Sequence, residues 1–386
     1  MTATTPAVGQ WARRAAAHPH RLIGDPALIA AALVVGAIGL LSLQGATRTE
    51  DGGISADVVR QAVFLTVGLL VLILTARIDY RLLKLIWLPL LGVGVGMLAL
   101  VLVAGSTEFG ARRWFLVGGY SLQPSEFAKL ATAIAVAAAA STREASSRGF
   151  TLLLLAFLLP AGLILIEPDL GSALVLGSAW LALMIAWPVS ARGLWAIVAT
   201  VVAFIPLAFA LAVPGYQRER LAVFLDPDRD PLGSGFTLRQ VEVALGGGGV
   251  TGRGLELTSS ALDGLSTRNS DFALAQIGEQ LGLLGTLAVL IAFAVIAWRG
   301  LAIAESAPDR FGQLLGVGLT ALLVVQALLH VAVNVRLFPA TGIPLPLISL
   351  GGSSMIAACA IVGLLLSIAS RRHADPIERW SGARWD

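Results

Sequence analysis

Apolar residues run along this chain in long blocks separated by short polar joints that carry Gly, Pro or Arg. A membrane-spanning helix needs about 20 mostly apolar residues. Ten stretches meet that requirement: 27–46, 58–76, 83–104, 124–141, 149–166, 170–187, 193–213, 272–297, 313–333 and 353–370. The pattern predicts an all-α polytopic membrane protein of about ten helices, with one large loop, 214–271, between helices seven and eight. No stretch has a strong strand pattern, and no unit repeats at a period of about 20–50 residues. The chain reads as a single membrane domain over 1–386, with tails at 1–26 and 371–386. The first apolar run is long and its flank lacks a small-residue cleavage site, so no cleavable signal peptide is expected.

The long loop has structure of its own. Tyr216 to Leu225 reads as a short amphipathic helix with Leu221, Phe224 and Leu225 as apolar contacts. Asp226-Pro227-Asp228-Arg229-Asp230-Pro231 is a turn cluster. Phe236 to Leu245 reads as a second short helix with Arg239, Gln240 and Glu242 as its polar positions, broken by Gly246 to Gly249.

Composition agrees with the pattern. Of the 386 residues 56% are hydrophobic and 13% charged, and the mean hydropathy is +0.82. A soluble fold cannot hide that much apolar surface. A disordered chain, a collagen-like fibre and a soluble enzyme are excluded. The single cysteine, Cys359, excludes a disulfide scaffold. The four His have no metal-ligand spacing. The net charge of +3 is better spent on orientation and lipid headgroups than on nucleic acid, for which no site is expected. With a cytoplasmic N-terminus, the short outer segments hold only Arg48, Arg60, Arg112, Arg113 and Arg336, against fifteen Lys and Arg on the inner side. The positive-inside rule then puts both termini in the cytoplasm and the long loop outside the cell membrane.

Charges inside a bilayer are expensive, so each is a candidate for function. In Gln123-Pro124-Ser125-Glu126-Phe127-Ala128-Lys129, Glu126 and Lys129 share a helix face. They read either as a packing ion pair or as the lining of a polar cavity. Gln123 or Ser125 is expected to help cap that helix, and Asp169 to cap the helix after Glu167-Pro168. Asp271 stands where the long loop meets the membrane, either as a plain cap or as a functional acid. Glu279 lies deeper than a cap should, and Gly278 and Gly282 form a small-residue face for close helix contact. Finally, Pro339, Pro344 and Pro346 forbid a regular helix and predict a re-entrant or surface segment. Gly351, Gly352, Ser353 and Ser354 then open a helix, either as a simple cap or as donors for a phosphate. No Walker or dinucleotide fingerprint is present.

These motifs, in this order, resemble the SEDS family of RodA and FtsW peptidoglycan polymerases along nearly the whole chain. The matching stretches are GARRW at 110–114, QPSEFAK at 123–129, PDLGS at 168–172, YQRERL at 216–221 and FLDP at 224–227. They continue with the glycine-rich 246–254, SDFALAQIGEQLGLLG at 270–285 and FPATGIPLPLISLGGSS at 338–354. The resemblance implies a lipid-facing groove, polymerisation of lipid II and a class B penicillin-binding protein as partner. The short tails bring the chain nearer to RodA than to FtsW. The family's essential aspartate falls on Asp271, its helix-4 acid and lysine on Glu126 and Lys129, and its first-loop aromatic on Trp114. There are departures. Ser266-Thr267-Arg268-Asn269-Ser270 replaces a Pro-Glu-x-His-Thr pattern, Glu279-Gln280 a Glu-Glu pair, Asn334-Val335-Arg336-Leu337 an Asn-x-Gly-Met segment, and Ser349-Leu350-Gly351-Gly352 a Ser-Tyr-Gly-Gly.

The expected reaction joins a sugar hydroxyl to the anomeric carbon of a second lipid-linked sugar. One carboxylate, Asp271, suffices as base. The leaving diphosphate needs cations or aimed donors. Arg112, Arg113, Arg218, Arg220, Lys129 and Arg336 are candidates, with Trp114, Glu126, Gln240, Glu279, Ser353 and Ser354 as further substrate contacts. No cofactor is required by the sequence. A divalent cation, magnesium or manganese, is compatible, but no dedicated cage is visible. A transporter for the same lipid-linked precursor is the second reading. Against it, no paired broken helices occupy matching positions of two halves, and the key acid lies at one face.

Overall fold

A computed structural model describes residues 24–47, 54–108, 111–142, 147–187, 215–255, 260–265 and 268–371, with isolated positions 193, 195 and 199. Its membrane helices are α1 (Pro26–Ala46), α2 (Ala56–Arg77), α3 (Trp87–Ala104), α4 (Pro124–Ser141), α5 (Ser147–Ile166) and α6 (Leu170–Ala186). The chain continues through two short helices, α7 (Gly215–Leu225) and α8 (Ser234–Gly247), to α9 (Ala273–Glu305), α10 (Arg310–Asn334) and α11 (Gly352–Ser370). Nine of the ten expected spans coincide with helices; the tenth, 193–213, lies outside the described residues apart from those three isolated positions. Seven of the described helices are long and apolar enough to cross a membrane. The chain is a multi-pass membrane protein.

Lipid-facing and core helices differ in side-chain size. Helices α2 and α3 expose Leu70, Leu74, Leu88 and Val103, as a bilayer permits. Helix α4 is buried along almost its whole length, and its run Ala137–Ala140 lets neighbours approach closely. Helix α11 is buried almost all round. Its Gly363 abuts Leu72 and Thr75 of α2, and Gly68 of α2 lies against Cys359. At the end of the bundle where Asp25 and Asp309 start their helices, ion pairs are structural: Asp25 caps α1 and binds Arg299 at 2.6 Å, and Asp309 caps α10 and binds Arg81 at 3.1 Å.

The opposite, loop-bearing end departs from the sequence pattern in three places. First, it contains a three-stranded antiparallel sheet, β1 (Ser106–Glu108), β2 (Ala111–Val117) and β3 (Tyr120–Leu122), where no strand was expected. Strands this short carry little periodicity, but Gly118-Gly119, with φ of +59° and +82°, is a two-residue hairpin signal. Second, Gln123 and Ser125 do not cap α4; their side chains go to Asp169 at 3.0 and 3.4 Å. Asp169 does cap α6, accepting from the Ser172 amide at 3.0 Å. Third, in α7 the buried apolar contact is Val223, while Leu225 is exposed.

The small-residue face of α9 takes an unexpected partner. Gly282 has a φ of +64° and breaks the helix. A break frees backbone groups that a membrane helix cannot leave unpaired. The glycine-rich segment of the long loop supplies the pairs. Arg253 and Gly254 amides donate to the carbonyls of Glu279 and Gln280 at 2.9 and 3.0 Å. The Leu283 and Leu284 amides donate to Gly249 and Val250 at 2.9 and 3.1 Å. A β-carbon at Gly248 or Gly252 would stand within 2.1 Å of α9 carbonyl oxygens. The loop is thus inserted into the helix, and a second, small core of Val241, Ala244, Leu262, Phe272, Ala275 and Val333 forms beside the junction.

Candidate active site

The loop-bearing end encloses a cavity of about 460 Å³, walled by α2, the β-hairpin, α7, the 269–271 junction, the proline segment and the start of α11. Asp271 and the cations around it define its floor. The prolines of 339–346 keep this segment out of a helix, and Leu345, Leu347 and Ile348 bury it in the core as a re-entrant stretch. It therefore brings backbone to Asp271. Gly342, at a φ of +71°, lies beside its carboxylate. A β-carbon there would lie 3.6 Å from Asp271 Oδ2, 3.6 Å from Arg113 Nη2 and 3.9 Å from Arg220 Nη1. One small volume is thus bordered by a carboxylate and two guanidinium groups.

Three elements aim those groups. Arg113 is on β2 and buried, and its Nε has no hydrogen-bond partner among the described residues. Arg220 comes from α7 and donates to the Ala340 carbonyl at 3.0 Å. Asp271 does not cap α9: the cap position is Phe272, and the Ala275 amide goes to Asn334 instead. Burial pushes the Asp271 carboxyl above the usual carboxylate range, while a hydrogen bond from Ser270 and the charges of Arg220 and Arg113 pull it back. Behind Arg113, Glu167 is fully buried with both carboxyl oxygens unpartnered among the described residues. Burial, then the nearby Asp169, raise it to about 9 against the pull of Arg113.

Of the residues singled out by sequence, the cavity gathers Arg113, Trp114, Arg220, Asp271, Ser353 and Ser354. Ser353 Oγ accepts from the Gln123 amide at 2.8 Å, tying α11 to the start of α4, and the buried Ser354 hydroxyl has no described partner. Others lie elsewhere. Arg112 is exposed and donates to Thr107 at 3.1 Å. Arg218 is exposed on α7, and Gln240 on α8 is half-buried away from the cavity. Arg336 pairs with Glu242 at 2.6 Å. Glu279 anchors the long loop, accepting from Arg253 at 3.0 Å, Ser260 at 2.5 Å and the Ala261 amide at 2.9 Å. Glu126 and Lys129 form a buried pair at 2.9 Å beside a void of about 10 Å³ that shares Ser354 with the main cavity.

The cavity also holds residues that the sequence reading passed over. Asp57 and Arg60 of α2 form an i, i+3 pair at 3.7 Å on its wall, where Arg60 had counted only toward orientation. Phe64 and Tyr120 meet edge to face with ring centroids 5.6 Å apart. Among the described residues no three His, Cys, Asp or Glu side chains converge to cage a metal.

A family model described as "Cell cycle protein", covering FtsW, RodA and SpoVE, matches residues 25–374. The chain is 33% identical over 342 residues to a probable peptidoglycan glycosyltransferase FtsW of Trichlorobacter lovleyi, covering 87% of this chain and 89% of that protein. It is equally 33% identical over 349 residues to the peptidoglycan glycosyltransferase MrdB of Escherichia coli, covering 89% and 92%. Among solved structures, a chain of a peptidoglycan synthase complex that coordinates polymerization and crosslinking superposes with a TM-score of 0.76 at 31% identity, over 91% of this chain and 99% of that one. The rod shape determining protein RodA of Thermus thermophilus superposes with a TM-score of 0.68 at 28% identity, over 91% and 98%. The two branches, FtsW and RodA, match equally in sequence, and the chain belongs to the FtsW/RodA/SpoVE family, the SEDS proteins.

Proposed function

We propose that this chain is a peptidoglycan glycosyltransferase that polymerises lipid II, with Asp271 as the general base. The observation that carries this is the meeting of Asp271, Arg113 and Arg220 around Gly342 at the floor of an open cavity. The acceptor's sugar hydroxyl loses its proton to the Asp271 carboxylate as its oxygen forms a bond to the donor's anomeric carbon. The bond from that carbon to the diphosphate breaks on the opposite side, so the donor's α linkage becomes β. Undecaprenyl diphosphate leaves, and Arg113 and Arg220 offset its charge with donors fixed before the reaction begins. The N-terminal amides of α11 and the Ser354 hydroxyl add neutral donors at the same wall.

The arginine asymmetry of the loops supports cytoplasmic termini and an extracellular cavity, which is the face where lipid II sugars are displayed. The synthase-complex neighbour supports a crosslinking transpeptidase, a class B penicillin-binding protein, as partner. The superposition on a rod shape determining protein supports a role in elongation and cell shape; depletion then yields round cells, whereas a division role yields filaments. The reading is tested with the chain in liposomes carrying outward-facing lipid II. Glycan chains are expected. Movement of lipid II across the bilayer without chain growth would instead make the protein a transporter.

A further inference from the structure

Helix α10 carries three polar side chains, Gln326, His330 and Asn334, spaced four residues apart and buried to within 5% of full burial. That spacing puts them on one helix face. Polar groups at such depth are costly unless each finds a partner. Each has a partner on the active-site backbone, although Asn334 Nδ2 also donates to the His330 carbonyl of its own helix at 2.9 Å and His330 Nε2 has no partner among the described residues. Gln326 Nε2 donates to the Pro344 carbonyl at 3.1 Å, while its Oε1 accepts from Lys129 Nζ at 2.7 Å. Lys129 in turn holds Glu126 at 2.9 Å. His330 Nδ1 lies 2.9 Å from the Ile343 carbonyl. A carbonyl only accepts, so the ring carries its proton on Nδ1. Asn334 Nδ2 donates to the Asp271 carbonyl at 3.2 Å, and its Oδ1 accepts from the Ala275 amide at 3.0 Å.

We propose that Gln326, His330 and Asn334 form a positioning ladder that registers the proline segment against the Asp271 junction. The proposal rests on the reading of Asp271 as base and deepens it. Gln326 and His330 grip the two residues that follow Gly342, while Asn334 grips the residue that carries the base. One rigid helix face thereby fixes the gap between Gly342 and the Asp271 carboxylate from both sides. The buried Glu126–Lys129 pair acts through this ladder, at a distance from the reacting atoms, by orienting the Gln326 amide. None of the three side chains lines the cavity, so they act through other groups rather than on substrate.

Two measurements on the full chain in lipid nanodiscs test this. The first compares His330→Leu, which removes the Nδ1 donor, with His330→Asn, whose amide nitrogen falls near the Nδ1 position. His330→Leu is expected to lower kcat for lipid II polymerisation at least about tenfold, because misplacing a reacting group by an ångström costs that much or more. KM should stay within about twofold, as for an interaction that serves the transition state rather than ground-state binding. His330→Asn should keep at least about one third of wild-type kcat. The second measures hydrogen exchange in Asn334→Leu, where the Ala275 amide should exchange at least about tenfold faster while α11 amides stay unchanged. A His330→Leu with wild-type kcat, a His330→Asn as impaired as His330→Leu, or an unchanged Ala275 amide in Asn334→Leu would each overturn the ladder. If the wild-type chain forms no polymer, the base reading fails, and the exchange measurement still decides the ladder.

Discussion

Gly342 lies beside Asp271, where a β-carbon would stand in van der Waals contact with Oδ2 at 3.6 Å, and its backbone has a φ of +71°. The positive φ strains any residue but glycine, and the distance sets an added methyl group in contact with the carboxylate. Backbone in the left-handed region costs a non-glycine residue about 1–2 kcal/mol. The added methyl group would also occupy the space between the carboxylate and both guanidinium groups. Gly342→Ala is expected to lower polymerisation at least about tenfold, and Gly342→Val further, with the protein still inserted and folded. Rates on lipid II, with circular dichroism as the folding control, check this.

Glu167 sets a pH dependence of stability. Its folded-state value, about 9, lies far above that of an exposed carboxyl. The folded protein therefore holds a proton that the unfolded chain has released, so stability falls as pH rises from the ordinary carboxyl range toward 9. Thermal midpoints in detergent should drop between about pH 5 and about pH 8, and Glu167→Gln should flatten that slope. A slope as steep in the variant as in the wild type would mean that Glu167 is ionised in the fold.

The break in α9 predicts a coupled failure. Gly252 and Gly282 face one another with no room for β-carbons. Gly252→Ala should detach the glycine-rich loop from α9, raising exchange of the Leu283 and Leu284 amides by at least about tenfold. Arg220 belongs to the same 214–271 loop, so activity is expected to fall with it. Limited proteolysis of the 246–255 segment gives a second readout.

Arg336 occupies a position that suits glycine. Helix α10 ends with the Leu337 amide on the Ala332 carbonyl at 2.7 Å and the Arg336 amide on Val333 at 3.1 Å, with Arg336 at a φ of +56°. This is the left-handed helix ending that glycine usually fills. The Arg336–Glu242 pair at 2.6 Å is the compensating contact. Arg336→Gly should stay within about 1 kcal/mol of wild type, since relief of the backbone offsets a partly exposed ion pair. Arg336→Ala loses the pair without that relief and should melt below the glycine variant.

What the sequence made legible follows the length of the signal. Long apolar runs such as 353–370 give a helix whatever surrounds them, and nine such runs lie on helices. Asp271 stood out because charge is rare here, whereas Arg113 and Arg220 were two of six candidate cations with nothing local to rank them. Partner choice was not legible. Nothing local says that Glu279 should serve the loop's Ser260 and Arg253, that Gly282 should receive backbone rather than another helix, or that Gln123 should turn from its own helix to Asp169. Those outcomes depend on groups far apart in sequence. Arg60 was hidden for another reason: its charge already had an explanation in orientation, although the fold turns it into the cavity. The β-hairpin was missed although Gly118-Gly119 marks its turn.

In the proposed reaction the Asp271 carboxylate takes the proton of the attacking hydroxyl. Asp271→Asn keeps the shape and removes the base. Purified Asp271→Asn and wild-type protein, each with the transpeptidase partner, are given lipid II, and chain growth is followed across pH. The wild type should lose rate as pH falls through an Asp271 value raised above the ordinary carboxylate range. The variant should bind lipid II and make no chains. A variant that polymerises lipid II at the wild-type rate would rule out Asp271 as the base.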